Sequence, residues 1–226
     1  MIADTRHAEL EPLMEGARNA VRFLGIRPEN EVLLGYNYAS DAATVQADFP
    51  KIADSGLLPV EATQPGPAFH RFVAELRSKA VARAFGEKFG VDLTNRPIMI
   101  TVRGRCAARD GRIHTDSETK LVTALFYFND PWEAKGGRLR LLRNAHDLND
   151  AIAEAPPDLG SLVAFRRADN SFHGHEPYEG VRRYVMVNWM TSGFAARKEL
   201  FRHHVSAQAK RALASLKGKS ADAAHA

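Results

Sequence analysis

The sequence has 226 residues, of which 45% are hydrophobic and 26% are charged. This balance is ordinary for a soluble globular domain and excludes a disordered or fibrous chain. The net charge of +4 is a slight excess, so we expect nucleic acid not to be a partner. Cys106 is the single cysteine and excludes an internal disulfide. We find no signal-peptide core and no run of roughly 18 apolar residues, so we expect a cytoplasmic protein without a membrane partner.

Amphipathic helices are predicted to dominate the first 95 residues. Hydrophobic residues recur at helical spacing over residues 5–25 and, more strongly, over residues 70–90. Between these segments, short apolar runs mixed with Asp, Pro and Gly indicate loops, a strand at 32–34 and a short helix near 42–48. We therefore predict that residues 1–95 are a helical region supporting the core of the same domain.

Short runs rich in β-branched and aromatic residues replace the helical pattern from residue 96 onward. Turn-forming residues separate these runs, as is typical of strands. The runs are residues 97–102, 121–129, 138–142, 161–165 and 184–189. They predict an α+β fold with a double-stranded β-helix (jelly-roll) core at residues 96–194 and helices on one face.

The C-terminal segment, residues 195–226, is predicted to be a helix that ends near residue 216 in a frayed polar tail. Two aromatic residues, Phe194 and Phe201, are predicted to dock this helix onto the core.

The first two candidate metal ligands are His114 and Asp116, in the sequence GRIHTDS. Residues i and i+2 of a strand project from the same face, so an imidazole and a carboxylate can converge on one ion. A second histidine would complete a 2-His-1-carboxylate triad, which suits non-haem Fe(II) oxygenases. His-x-Asp by itself is a weak signal, since it also occurs as a hydrogen-bonded pair at a strand end.

The third ligand is predicted in the sequence SFHGHEPYEGVRRYVMVNW, residues 171–189. We favour His173, because Pro177 follows it by four residues and Arg182 by nine. His175 stays an alternative, since on a regular strand it would project the same way. An arginine on the following strand can form a bidentate pair with a nearby carboxylate.

These segments together resemble the 2-oxoglutarate/Fe(II)-dependent dioxygenases, specifically their prolyl-hydroxylase-like branch. The resemblance spans residues 98–189 and has four parts in the family's order. The parts are His114-x-Asp116, LVTALFYFNDPW at 121–132, GGRLRLL at 136–142 and HGHEPYEGVRR at 173–183. Four matches in order are far more specific than any one of them.

The resemblance implies that His114, Asp116 and His173 bind Fe(II). It also implies three roles in binding 2-oxoglutarate. Arg182 would pair with the distal carboxylate of 2-oxoglutarate, Tyr127 would donate its hydroxyl to that carboxylate, and Thr123 would line the pocket. Arg183 is the alternative to Arg182, because it has the more usual spacing to the tryptophan at 189 and only one of two strand neighbours can face the pocket.

The implied reaction consumes O₂ and 2-oxoglutarate, with ascorbate as a supporting reductant, and releases succinate and CO₂. Its substrate would be an amino acid, a peptidyl side chain or another small metabolite. Arg103 or Arg105, in an arginine-rich run, is a candidate to receive an anionic substrate group, although such runs are usually solvated. The alternatives are an oxidative nucleic-acid demethylase and a non-catalytic jelly-roll module, and a binding module needs neither the triad nor the Arg/Tyr pair.

Overall fold

A computed structural model describes residues 22–26, 32–36, 42–198 and 201 of the chain. The strands are β1 (Arg22–Ile26), β2 (Val32–Tyr36), β3 (Leu58–Pro59), β4 (Ile98–Cys106), β5 (Lys120–Tyr127), β6 (Leu139–Leu142), β7 (Ala151–Ala155), β8 (Leu162–Arg166), β9 (His173–Gly174) and β10 (Gly180–Met190). The helices are α1 (Ala42–Ala47), α2 (Pro67–Leu76) and α3 (Lys79–Phe89), with a 3-10 turn at Val60–Ala62. Residues 193–198 are also helical.

Two antiparallel sheets form the core of the described structure. The larger sheet has seven strands in the order β1-β2-β8-β5-β10-β4-β3, and the smaller has three in the order β7-β6-β9. The long strands β4, β5 and β10 lie side by side in the larger sheet, where β10 pairs with both neighbours. The mixed helical and antiparallel-sheet composition predicted from the sequence is confirmed.

Alternating side chains on β5 and β10 face opposite sides of the larger sheet. One set packs against α2 and α3 in a phenylalanine-rich cluster, in which Phe85 stacks on Trp189 with ring centroids 4.9 Å apart. The other set, which includes Leu125, Tyr184 and Met186, packs toward β6 of the smaller sheet. Because the period of a strand is two residues, this division fixes which residues of β10 can reach the space between the sheets.

The single helix predicted over residues 70–90 is two helices. Helix α2 ends at Leu76, and α3 begins after Ser78, whose hydroxyl accepts a hydrogen bond from the Val81 N–H at 3.2 Å. Serine is a favoured N-cap, because its side chain satisfies a backbone donor that the first helical turn leaves unpaired. Both helices bury one face on the larger sheet, as predicted.

The region predicted as helical support also contributes β1, β2 and β3 to the larger sheet. The predicted helix over residues 5–25 is wrong at its end, where β1 begins at Arg22; the remainder lies outside the described residues. Strand β1 pairs with β2, and β2 pairs with β8 about 130 residues away. Local periodicity carries no information about such distant pairing.

The predicted docking of the C-terminal helix through its two phenylalanines is wrong. Phe194 and Phe201 are 71% and 70% exposed, whereas Ala195 and Ala196 are buried against methionines of β4 and β10. Small side chains let the helix approach the sheet closely. Among the described residues, no helix has the length and apolar character required to cross a membrane.

Candidate active site

A cavity of about 400 Å³ opens between the two sheets. Its walls carry most of the residues that the sequence singled out, together with an apolar lining. The predicted residues on the wall are His114, Asp116, Thr123, His173, His175, Arg103 and Arg182, and the apolar ones are Leu57, Leu125, Leu139, Phe165 and Met186. The cavity therefore combines convergent polar groups with apolar walls, as is typical of a small-molecule site.

A His–Asp–His cluster lies on one side of this cavity. One ligand atom each from His114, Asp116 and His173 lies within 4.8 Å of the others. The first histidine forms an isolated antiparallel bridge with the second, through backbone hydrogen bonds of 3.0 and 2.9 Å. Their rings are consequently adjacent, with centroids 4.3 Å apart.

Backbone carbonyls fix the orientation of both imidazoles. The Nδ1 of His114 lies 2.8 Å from the Arg112 carbonyl, and the Nδ1 of His173 lies 2.9 Å from the Ser171 carbonyl. A carbonyl can only accept, so in the neutral form of each ring Nδ1 carries the proton and Nε2 keeps its lone pair. This arrangement prepares both Nε2 atoms to bind a metal. Burial also lowers the pKa of His173 to about 4, which keeps that ring neutral near pH 7.

The carboxylate of Asp116 is buried and held on both oxygens. Lys120 donates to Oδ1 at 2.7 Å, and the Thr123 hydroxyl donates to Oδ2. Burial alone would raise the pKa of Asp116, but the Lys120 ammonium, the neighbouring His173 and these hydrogen bonds lower it to about 2. The Asn188 side chain supports Thr123 from behind with a hydrogen bond of 2.8 Å.

His175, the alternative ligand, lines the cavity away from the cluster. Its Nδ1 donates to the Glu176 carbonyl at 2.8 Å. Burial, together with the positive charges of Arg182 and Arg103, lowers the pKa of His175 to about 4. The metal-ligand cluster among the described residues includes His173 and leaves His175 out.

Arg182 projects into the cavity, and Arg183 does not line it. The guanidinium of Arg182 is buried between the rings of Tyr127 and Tyr184, with its carbon 5.4 and 5.0 Å from their centroids. Its Nε donates to the Gly137 carbonyl at 2.8 Å. Asn129 pairs with the backbone of Arg183 through bonds of 2.6 and 3.1 Å, which fixes the strand so that Arg182 faces inward.

The two remaining predicted residues differ in their access to the cavity. Thr123 lies on the wall beside Asp116. Tyr127 is completely buried behind Arg182, which donates to its hydroxyl at 3.3 Å. Burial raises the pKa of Tyr127 to about 12, so the hydroxyl stays protonated. Direct contact between Tyr127 and a cosubstrate stays a prediction.

Lys120 and Tyr184 are among the wall residues that were not anticipated from the sequence. The position of Tyr184 follows from its being two residues after Arg182 on the same strand. No sequence signal identified Lys120, because its contact depends on how the loop at residues 115–119 folds back. Arg103 lies on the wall and pairs with Asp110, whereas Arg105 is exposed.

Comparison with known proteins agrees with this geometry. Residues 105–191 match a family model described as the 2OG-Fe(II) oxygenase superfamily. The matched segment contains all three residues of the His–Asp–His cluster and Arg182. No curated protein matches the sequence.

Solved structures with similar folds include two prolyl hydroxylases. A prolyl-4-hydroxylase from Pseudomonas putida is 18% identical with a TM-score of 0.51, over 72% of this chain and 93% of that one. A viral collagen prolyl hydroxylase from Paramecium bursaria Chlorella virus-1, in complex with 2OG, is 15% identical with a TM-score of 0.50, over 73% and 96%. At such identities the likeness concerns the fold. The segment at residues 105–191, which holds the cluster and the cavity arginine, is thus similar to the 2OG-Fe(II) oxygenase superfamily.

Proposed function

We propose that the chain is an Fe(II)- and 2-oxoglutarate-dependent dioxygenase that hydroxylates an amino acid, a peptidyl side chain or another small metabolite. The observation that carries this proposal is one cavity lined by both the His–Asp–His cluster and a buried arginine, within the segment that matches the family. In this proposal residues 96–194 form a jelly-roll catalytic core, to which β1, β2 and β3 add strands at the edges of the larger sheet. The names of the two related structures favour an amino-acid or peptidyl side chain as the substrate.

The donor set of the cluster fits Fe(II). Two imidazole nitrogens and one carboxylate form the 2-His-1-carboxylate set of non-haem iron oxygenases. In our proposal His114 and His173 bind through Nε2, because their Nδ1 protons are already donated to backbone carbonyls. Iron and 2-oxoglutarate, when bound, supply the oxidising chemistry by which O₂ converts a substrate C–H into C–OH while 2-oxoglutarate becomes succinate and CO₂.

Arg182 is proposed to bind the distal carboxylate of 2-oxoglutarate. The two hydrogen bonds described above link Arg182 to neutral groups, the Gly137 carbonyl and the Tyr127 hydroxyl. Neither group neutralises the positive charge of the guanidinium. A guanidinium in a buried position is a strong partner for a carboxylate. Tyr127 then acts mainly by fixing Arg182, and Thr123 acts by holding Asp116.

The apolar wall is proposed to keep water away from the reacting groups. Leu125, Leu139 and Met186 line the same cavity as the cluster and Arg182, and Phe165 packs on His173 with ring centroids 4.7 Å apart. A low-dielectric wall strengthens the electrostatic interactions inside it. The same wall limits loss of reactive species to solvent.

Succinate formation tests the proposed function. Purified protein is incubated with Fe(II), 2-oxoglutarate, ascorbate and O₂, and wild type is compared with His114→Ala and with His146→Ala, an exposed loop histidine. We expect slow succinate formation without added substrate in wild type and in the control, and none in His114→Ala. Equal rates in all three proteins would contradict the proposal. So would a wild type that neither forms succinate nor binds 2-oxoglutarate in the presence of Fe(II), and a non-catalytic binding module would then be favoured.

A further inference from the structure

Lys120 is a buried cation in direct contact with one of the candidate iron ligands. Its Nζ lies 2.7 Å from Oδ1 of Asp116, and the two side chains are only 7% and 6% exposed. Lysine is rarely buried, because removing an ammonium from water costs several kcal/mol unless it is paired. The contact is therefore a specific arrangement of the site rather than an incidental surface pair.

The second oxygen of Asp116 is held independently. The Thr123 hydroxyl donates to Oδ2, and Asn188 in turn donates to Thr123 at 2.8 Å. A carboxylate has about four acceptor positions on its two oxygens, so these bonds leave lone pairs for a metal. Since this second chain of hydrogen bonds already orients the carboxylate, Lys120 adds something beyond orientation, namely a positive charge.

A metal ion bound to Asp116 would share that carboxylate with the Lys120 ammonium. Two cations on one buried carboxylate repel each other, and the repulsion is weakly screened away from bulk water. It grows with the charge of the ion, so it is larger for a trivalent than for a divalent ion. The contact therefore opposes metal binding and opposes it more for Fe(III).

We propose that Lys120 is a charge-tuning residue of the iron site, which weakens metal binding and favours Fe(II) over Fe(III). The inference rests on the proposed function, because it assumes that Asp116 binds iron. It identifies a role for a residue on β5 that lies outside the ligand set and outside the proposed 2-oxoglutarate contacts. The consequence is an enzyme that holds its iron in the reduced state at some loss of affinity.

Anaerobic Fe(II) titration of the metal-free full-length chain tests this role, with a chelator in competition where binding is tight. Lys120→Gln removes the charge and keeps a donor for Asp116, Lys120→Met removes both, and Lys120→Arg keeps the charge. Lys135→Met removes the same charge from an exposed loop and is the matched control. We expect both neutral variants to bind Fe(II) at least about ten-fold more tightly than wild type. Lys120→Arg and Lys135→Met should bind as wild type does.

The midpoint potential of the bound iron gives a second readout that a merely structural role would not move. We expect Lys120→Gln to have a lower potential than wild type, because the oxidised ion loses a repulsive neighbour. Thermal unfolding of the metal-free proteins shows which variants are folded. If Lys120→Met is not folded, the comparison of Lys120→Gln with wild type decides the test. Neutral variants that bind Fe(II) equally or more weakly, with an unchanged potential, would overturn the inference. A wild type that does not bind Fe(II) would instead overturn the proposed function.

Discussion

Replacing Arg182 by methionine should remove most of the affinity for 2-oxoglutarate, whereas the same change at Arg183 should not. Arg182 is 2% exposed and lies on the cavity wall, where its Nε is fixed on the Gly137 carbonyl at 2.8 Å. Arg183 is half-buried on the other side of the strand, and its contacts with Asn129 use backbone atoms that the substitution keeps. The two variants therefore make the same chemical change, but at side chains that lie on opposite sides of the strand.

The magnitude follows from the interaction that is lost. A hydrogen bond to a charged group contributes about 1.5–3 kcal/mol, so Arg182→Met should weaken 2-oxoglutarate binding by roughly 10- to 150-fold. A 2-oxo acid of the same length without the distal carboxylate, 2-oxovalerate, has no group for the guanidinium to bind. Its affinity should be nearly the same in wild type and Arg182→Met.

Anaerobic calorimetry with Fe(II)-loaded protein measures the four affinities that this comparison needs. Arg183→Met is measured in parallel, and we expect it to lie within about two-fold of wild type for both ligands, as is usual for a substitution away from the site. Loss of 2-oxoglutarate binding in Arg183→Met alone would show that Arg183, and not Arg182, binds the distal carboxylate. An equal loss of both ligands in Arg182→Met would show that its role is structural, and retention of both would refute the assignment.

Three further predictions concern the fold around the site. Phe85→Ala should lower the free energy of unfolding by about 3–5 kcal/mol in a denaturant titration, because Phe85 is 1% exposed and stacks on Trp189; a loss below about 1 kcal/mol would contradict this packing. Gly111→Ala should lower the free energy of unfolding by on the order of 1–3 kcal/mol, since Gly111 has φ +91° and an added Cβ would overlap the His175 ring. An unchanged free energy of unfolding would refute this prediction. The metal-free protein should lose stability as the pH falls from 6.5 toward 4, because burial lowers the pKa of His173 and His175 to about 4 and the unfolded chain binds those protons first. Urea titrations at pH 7.5 and 5 should differ by on the order of 1–2 kcal/mol for each histidine, and a constant value would contradict the burial of both rings.

The predictable part of the structure is the part governed by local patterns. The runs that became β4, β5, β8 and β10 are rich in β-branched and aromatic residues, and each was identified from the sequence within a few residues of its ends. The two-residue period then explains why Arg182, rather than its neighbour, reaches the cavity. The order of the four motifs along the sequence is sufficient to predict that the His–Asp–His residues belong to one metal site.

The parts that were missed depend on contacts distant in sequence or on very short elements. Strand β1 was predicted as the end of a helix. Its pairing with β2, which in turn pairs with β8, produces no pattern in the local sequence. Strand β9 has two residues, His173 and Gly174, which is too short for any periodicity. The contact of Lys120 with Asp116 depends on the path of a loop, and residue types alone do not specify that path.

The most direct test of the central claim is an anaerobic 2-oxoglutarate titration with and without Fe(II), on wild type and Asp116→Ala. We expect tight 2-oxoglutarate binding by wild type only when Fe(II) is present, because the cluster and Arg182 must hold the two ends of one ligand. Asp116→Ala should lose the Fe(II)-dependent part of the binding. Binding by wild type that is equally strong without Fe(II), or that Asp116→Ala retains in full, would contradict the claim that this cavity is an iron and 2-oxoglutarate site.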